Sequence, residues 1–157
     1  MARKFFLVVG FILAFISPAF GYNKQSAAGF WQTIDPSTNK VSAIVQIWRN
    51  PQDGMYYGRL YRIFNEGKHK STDICIHCKG PQQNESMLGL TIISRMVDMD
   101  KGYYQRGRVL DPRDGSLYHA QMRLVNDGET LHLRGYILIP LFGKTASWDR
   151  ATSEQIK

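Results

Sequence analysis

The chain has 157 residues, the length of one ordinary domain, and 43% of them are hydrophobic while 21% are charged. This composition excludes an intrinsically disordered chain, and two cysteines are too few for a disulfide scaffold. The formal net charge of +7 comes without a basic run or an aromatic RNA-binding motif, so no nucleic-acid partner is expected.

Residues 1–21 predict a secretory signal peptide. Two basic residues precede an apolar run from Phe5 to Ile16, and Ala19-Phe20-Gly21 offers small residues at a cleavage site. We expect cleavage after Gly21 and a single β-barrel domain at 22–157, in an oxidising periplasmic or extracellular space. The leader carries two basic residues and no acidic one, so the mature chain has a net charge of +5. No later apolar run reaches the roughly 20 residues of a membrane-spanning helix.

Turn signals built from Pro, Asp, Asn and Gly divide the mature chain into segments rich in β-branched and aromatic residues. Eight β-strands are predicted, at 29–34, 41–49, 55–64, 88–97, 103–110, 116–125, 130–137 and 144–150. Three of them place apolar residues on one face: Val41, Ala43, Val45 and Ile47; Tyr118, Ala120, Met122 and Leu124; Leu131, Leu133 and Ile137. Short turns between consecutive strands predict an all-β fold, an eight-stranded antiparallel up-and-down barrel.

A barrel of about eight strands is either filled by its own side chains or holds one small ligand. An outer-membrane barrel would share the leader and the strand count, but it would need a lipid-facing apolar band on every strand. The segment 103–110 has no clean apolar face, because Arg106 and Arg108 lie on one side and Gln105 lies on the other. A soluble barrel is therefore favoured.

Motifs at both ends of the mature chain resemble those of lipocalin-like barrels. Gly29-x-Trp31 resembles the opening G-x-W motif, and Trp148-Asp149-Arg150 resembles the closing strand. In such barrels the opening Trp fills the closed base, and an Arg of the last strand stacks across it. The resemblance implies these base-packing roles for Trp31 and Arg150, joined by a cation–π contact.

The whole mature chain resembles the bacterial domain-of-unknown-function 2147 family of small exported proteins. The matching motifs are Gly29-x-Trp31, Gly58, Cys75-x-x-Cys78-Lys79-Gly80, Gly89-Leu90, Gly107-x-x-Leu110-Asp111-Pro112, Gly115 with Tyr118, Leu133-x-Gly135-Tyr136, and Gly143 with Trp148 and Arg150. The resemblance implies a lipocalin-like fold and an exported location. It implies no activity, because the function of that family is not established.

Cys75 and Cys78 lie in a polar connection at 65–86 that is long for a compact domain. In an oxidising space they predict a structural disulfide that pins this connection. A redox role stays open, because a C-x-x-C thiol can have a lowered pKa, although no thioredoxin-type unit is predicted. A metal site also stays open; His69 and His77 are nearby, but their spacing fits no standard zinc pattern. No cofactor and no metal are expected.

No set of residues predicts an enzyme. His119 and His132 lie on polar strand faces, the serines have no nucleophile-elbow context, and the carboxylates cluster in turns. A catalytic nucleophile needs a base and an orienting group within reach, and the pattern supplies neither.

Candidate ligand contacts are Arg106 and Arg108, with Tyr104 on the same segment and Tyr118 on the next one. If the face that holds both arginines looks inward, the pair can clamp an anionic head group. If the face looks outward, the pair consists of solvated charges on the barrel wall, which is the commoner arrangement for unpartnered cations.

The sequence therefore predicts an exported lipocalin-like barrel that binds a small apolar or amphipathic ligand, such as a lipid, or an envelope component. The alternative is an envelope structural or protein-interaction module with a solid core. A third hypothesis is a redox or enzymatic role of the C-x-x-C connection. A basic exported protein is also expected to adhere weakly to anionic membrane surfaces. The sequence leaves the oligomeric state open.

Overall fold

The computed structural model describes residues 26–64 and 73–157. The predicted signal peptide and its cleavage site lie outside the described residues. Part of the long connection, including His69, also lies outside them.

Eight antiparallel strands form a closed barrel, which confirms the predicted fold. They are β1 (Gly29–Asp35), β2 (Lys40–Arg49), β3 (Tyr56–Ile63), β4 (Thr91–Asp98), β5 (Tyr103–Asp111), β6 (Ser116–Val125), β7 (Thr130–Tyr136) and β8 (Lys144–Arg150). Each strand pairs with its neighbours in the chain, and β8 pairs back onto β1. The largest departure from the predicted bounds is the start of β4, three residues late. Just before this strand, Gly89 and Leu90 form backbone hydrogen bonds with Leu60, but they belong to a turn and not to the strand.

The up-and-down order gives the barrel two distinct ends. We call the end where β1 begins and β8 finishes the base; it also carries the turns that join β2 to β3, β4 to β5 and β6 to β7. We call the opposite end the mouth. The mouth carries the β1–β2 turn, the long β3–β4 connection, the β5–β6 turn and the β7–β8 loop at 137–143.

Alternating side chains build an apolar interior, as the period-two patterns predict. The buried core includes Ala43, Val45 and Ile47 of β2, Ala120 and Met122 of β6, and Leu131 and Leu133 of β7. The third apolar row ends earlier than predicted, because pairing of β7 stops at Tyr136. Ile137 therefore lies outside the strand and is 68% exposed, which corrects its predicted place on the inner face.

Close packing at Gly107 bends the middle of β5. A Cβ atom at this position would overlap the Met96 side chain and lie 2.9 Å from Ser94 O. The pairing with β6 shifts register between Tyr104 and Gly107, and the intervening Arg106 has a φ of 61°. This bulge, with its left-handed residue, changes which side chains of β5 share a face.

A short C-terminal helix, α1 (Ser153–Ile156), packs on the outer wall of the barrel. Gln155 bonds to both flanking strands: its Nε2 donates to Gln32 Oε1, and its carbonyl accepts from Arg62 Nη1. Between these two strands Ile44 is fully buried, although it alternates with the inward-facing Ala43 and Val45. Throughout residues 26–64 and 73–157, no helix is long and apolar enough to cross a membrane.

Candidate functional site

The base of the barrel is filled by Trp31. This side chain is fully buried, and its Nε1 donates a hydrogen bond of 2.8 Å to Ala27 O. The guanidinium carbon of Arg150 lies 3.9 Å from the centroid of the Trp31 ring, within the range of a cation–π contact. The structure thus places both residues together at the closed end.

The Arg150 guanidinium also ties together three backbone segments. It donates to Gly128 O at 2.9 Å, to Ala28 O at 3.0 Å and to Ser26 O at 2.8 Å. Burial lowers the pKa of Arg150 to about 10, which leaves the group charged at neutral pH. One side chain therefore links the segment before β1, the β6–β7 turn and the end of β8.

Tyr104 belongs to the base rather than to an accessible ligand site. It is 1% exposed, its hydroxyl accepts a hydrogen bond of 2.9 Å from Ala27 N, and its ring meets Tyr56 edge-on at 4.9 Å. Burial raises the pKa of the Tyr104 phenol to about 12. With Met96 and Met122 also fully buried, the lower interior is occupied by the side chains of the protein.

The wall of the barrel is weakly closed between β1 and β8. Within the described residues, pairing across this seam covers Trp31 with Arg150 and Gln32 with Asp149, whereas β7 and β8 share six pairs. Residues 144–147 of β8 are all exposed. The seam is therefore closed near the base and opens toward the mouth.

Ala146 marks this opening. Its register partner Leu133 and the next alternate residue, Trp148, are both buried in the core, so Ala146 faces inward. It is nevertheless exposed, as is Lys144 on the same face of β8. Inward-facing residues are accessible at this place because β1 does not cover them.

Inward-facing residues of the neighbouring strands lie beside this opening, and we call this group the mouth cleft: Val109, Tyr118, Gly135, Lys144 and Ala146. Val109 pairs with Tyr118, and Gly135 pairs with Lys144. Val109, Tyr118 and Gly135 are half-buried. A Cβ atom at Gly135 would lie 3.2 Å from Val109 Cγ1 and 3.6 Å from Tyr118 Cβ. A side chain at position 135 would therefore occupy the space beside these two residues. Of the candidate ligand contacts, Tyr118 is the one that lies here.

Arg106 and Arg108 do not form an inward-facing clamp. Both are exposed, and the buried Gly107 between them faces the core against Met96. Arg106 occupies the bulge of β5, and Arg108 pairs with Ser94 and His119 on the neighbouring strands. The two arginines therefore lie outside the barrel interior, because an arginine facing inward at this level would meet a packed core.

The predicted disulfide between Cys75 and Cys78 is confirmed. Both cysteines are at most 2% exposed, and Cys75 exchanges backbone hydrogen bonds with the 84–85 segment of its own connection. The connection packs against the β5–β6 turn, where Cys75 Sγ lies 3.7 Å from Pro112 O. Gly115 in that turn has a φ of 73°, and a Cβ atom there would overlap the carbonyl of His77.

The burial of the disulfide bears on the two other hypotheses for this connection, a redox role and a metal site. Thiol–disulfide exchange requires that an attacking thiolate reach a sulfur atom, and neither sulfur is open to solvent. His77 is exposed. Among the residues that the structure describes, no three His, Cys, Asp or Glu side chains come together as metal ligands.

Sequence reasoning missed a ring of exposed apolar side chains at the mouth, which we call the apolar crown. It consists of Ile34, Ile74, Ile76, Leu88, Leu117, Ile137, Leu138, Ile139, Leu141 and Phe142. The run Ile137-Leu138-Ile139-Pro140-Leu141-Phe142 was its signal, since a proline inside six apolar residues fits a loop better than a strand.

Comparison with known proteins agrees with this fold. The model of a family described as an uncharacterized protein conserved in bacteria (DUF2147) matches residues 29–150. A solved structure, that of protein HP1028 from the human pathogen Helicobacter pylori, described as belonging to the lipocalin family, matches with a TM-score of 0.68. Its sequence is 22% identical, and the match covers 83% of this chain and 86% of that one. No curated protein sequence matches the chain.

Proposed function

Because the chain belongs to the DUF2147 family, whose description assigns no activity, we propose from the geometry of its lipocalin-like barrel that it binds one small amphipathic ligand in the mouth cleft. We further propose that it does so after export. The disulfide supports an oxidising compartment, and the leader-like sequence at 1–21 supports secretion.

The observation that carries this proposal is the exposure of Ala146 on the inner face of β8. A closed barrel buries its inward-facing residues, so an accessible one marks a point of entry. Since the base is sealed by Trp31 and Arg150, entry takes place from the mouth along the β1–β8 seam.

The residues around the cleft define the chemistry of the ligand. Val109 offers an aliphatic contact, and Tyr118 offers an aromatic ring. Lys144 at the rim offers a cation for a carboxylate, sulfate or phosphate head group. Because Tyr104, Met96 and Met122 fill the lower interior, the ligand is short and enters only the upper part of the barrel.

A pair of adjacent substitutions tests the site. Ala146→Trp fills the inner face of β8, whereas Ser147→Trp places the same side chain on the outer face one residue away, where Ser147 is exposed. With anilinonaphthalene sulfonate, an anionic amphipathic fluorophore, as the probe, we expect Ala146→Trp to weaken binding at least tenfold. We expect Ser147→Trp to bind as the unsubstituted protein does. Equal binding by the two variants, or no binding to the unsubstituted protein, would refute the cleft as a site.

A second candidate function is a packed barrel that acts through its surface. The dense lower interior favours it, because Met96 leaves no room for even a methyl group at Gly107. Native mass spectrometry of the protein taken from its own cells discriminates the two functions. A bound small molecule that Ala146→Trp removes supports the binding protein, and an empty chain that co-purifies with a partner protein supports the interaction module.

A further inference from the structure

We propose that the mouth of the barrel docks on the surface of an anionic phospholipid bilayer, with the β7–β8 loop as the inserting element. This proposal does not depend on ligand binding in the mouth cleft. It rests on the presentation of the loop, the placement of the apolar crown and the distribution of charge around it.

The β7–β8 loop presents large apolar side chains to solvent. Leu138 is 83% exposed, Phe142 is 77% exposed and Leu141 is 76% exposed. Solvent exposure of several adjacent large apolar side chains is uncommon and marks an interaction surface. Side chains of this kind are also those that enter the boundary between lipid head groups and acyl chains.

The backbone of the loop is held in place, so docking does not have to order it. Arg134 Nε donates to Pro140 O at 2.6 Å, and Arg134 Nη2 donates to Leu141 O at 3.2 Å. The third contact of this guanidinium, from Nη1 to Thr145 Oγ1 at 2.8 Å, fixes it to β8. Gly143 packs so tightly that a Cβ atom would lie 3.0 Å from Tyr136 Cβ. A loop that is already ordered loses little conformational entropy on binding.

The rest of the crown surrounds the same end of the barrel. Of the large apolar side chains that are exposed in the described residues, two lie elsewhere: Tyr61 lies on the outer wall against Phe30, and Met99 lies at the base. The crown residues come from β1, from the β3–β4 connection, from β6 and from the β7–β8 loop, which are separate stretches of chain. Because these apolar side chains are spread around the rim of the barrel, they are better placed to contact a flat membrane surface than a single peptide bound in a groove.

The charge around the loop complements anionic head groups. From Thr130 to Trp148 the sequence contains no carboxylate, while Arg134 and Lys144 are cationic. The adjacent wall of β5 adds the exposed Arg108 near its mouth end, whereas the β5–β6 turn beyond it carries Asp111 and Asp114. A cation close to an anionic membrane surface strengthens binding about fivefold. The side of the mouth that carries the loop therefore favours an anionic bilayer.

Vesicle flotation tests the proposal with matched variants at opposite ends of the barrel. Leu138→Asp places a charge on the loop, and Met99→Asp makes the same change at an exposed apolar residue of the base. With vesicles of phosphatidylglycerol and phosphatidylcholine, we expect Leu138→Asp to lower the partition coefficient at least tenfold. We expect Met99→Asp to change it less than twofold. Because both residues are exposed, both variants should keep the circular dichroism spectrum of the unsubstituted protein.

A second measurement reads out insertion directly. The fluorescence of Phe142→Trp should shift to the blue on these vesicles and be quenched by lipids brominated on the acyl chain, whereas a Trp in place of Met99 should show neither effect. Lys144→Gln should weaken binding about fivefold on anionic vesicles and leave binding to pure phosphatidylcholine unchanged.

Several results would overturn the proposal: vesicle binding that Leu138→Asp does not weaken, no binding to anionic vesicles, or a concentration-dependent dimer that Leu138→Asp abolishes. The Ala146→Trp variant separates this proposal from the function proposed above. It should lose the fluorophore and still float with vesicles.

Discussion

Replacing Arg150 by methionine tests how the base holds the barrel closed. Methionine keeps most of the apolar stem but removes the guanidinium. The protein then loses the three hydrogen bonds to Ser26, Ala28 and Gly128 and the cation–π contact with Trp31. These contacts join the first and the last strand of the barrel at its base, where the β1–β8 pairing is short. We therefore expect a large loss of stability from this single residue.

The magnitude follows from the contacts. A hydrogen bond from a charged group contributes about 1.5–3 kcal/mol, and bonds that share one donor group do not add fully. The desolvation of a half-buried guanidinium, which its low pKa of about 10 reflects, offsets part of this gain. We expect Arg150→Met to lower the free energy of unfolding by about 3–5 kcal/mol, consistent with the removal of one partner from a buried network.

Urea unfolding followed by tryptophan fluorescence measures the effect. At a slope of about 2 kcal/mol per M, the transition midpoint should move down by about 1.5–2.5 M. Arg150→Lys is the matched control: it keeps a cation but cannot span three carbonyls with a compact ammonium group, so we expect a smaller loss of about 2 kcal/mol. A loss below about 1 kcal/mol in Arg150→Met, or equal losses in the two variants, would show that the guanidinium does not hold the base together.

Two further predictions concern the Tyr104 phenol and the disulfide connection. The pKa of Tyr104 is about 12 in the folded protein and about 10 in the unfolded chain, so the unfolded chain loses its proton first and the free energy of unfolding should fall by about 2 kcal/mol between pH 10 and pH 12. Urea unfolding at pH 9 and pH 11.5 should show this fall, and the free energy of unfolding of Tyr104→Phe should fall less by the same amount. An equal fall in the variant and the unsubstituted protein would contradict a raised pKa of Tyr104 as its cause. Gly115→Ala should lower the free energy of unfolding by about 2 kcal/mol and speed proteolysis near Cys75, because a left-handed residue with a Cβ atom meets His77. Gly80→Ala is its control, with a similar φ of 63° and no atom within 4 Å, and equal proteolysis of the two variants would rule out the contact as the cause.

The strand pattern could be predicted from the sequence because its causes are local. A turn sequence such as Asp111-Pro112-Arg113-Asp114-Gly115 ends one strand and starts the next. In the structure, the backbone N–H groups of Gly115 and Arg113 donate hydrogen bonds to Asp111 and form this turn. The bounds of β6 and β8 agree with the prediction to the residue. The family and the lipocalin-like fold are confirmed as well, and the base-packing pair could be named from the resemblance alone.

The candidate site was harder to predict because it depends on packing between strands. Alternation put Arg106 and Arg108 on one face, but it could not reveal the bulge between Tyr104 and Gly107, which arises where Met96 meets Gly107. Likewise, Ala146 carries no signal of its own in the sequence. It is accessible because β1 stops pairing with β8 after Gln32, and that is a property of the closed barrel.

The short seam between β1 and β8 also has a consequence for the order of folding. Every other pair of neighbouring strands is consecutive in the chain and can form as a local hairpin, except that β3 and β4 must first close a longer loop. Closing the barrel brings together Ser26 and Arg150, which are 124 residues apart, and a contact of this separation has the greatest entropic cost. Such closure belongs late on the folding pathway, after the consecutive pairs from β1 to β8 have formed. The contacts of Arg150 then slow the unfolding of the finished barrel and contribute little to the rate at which it folds.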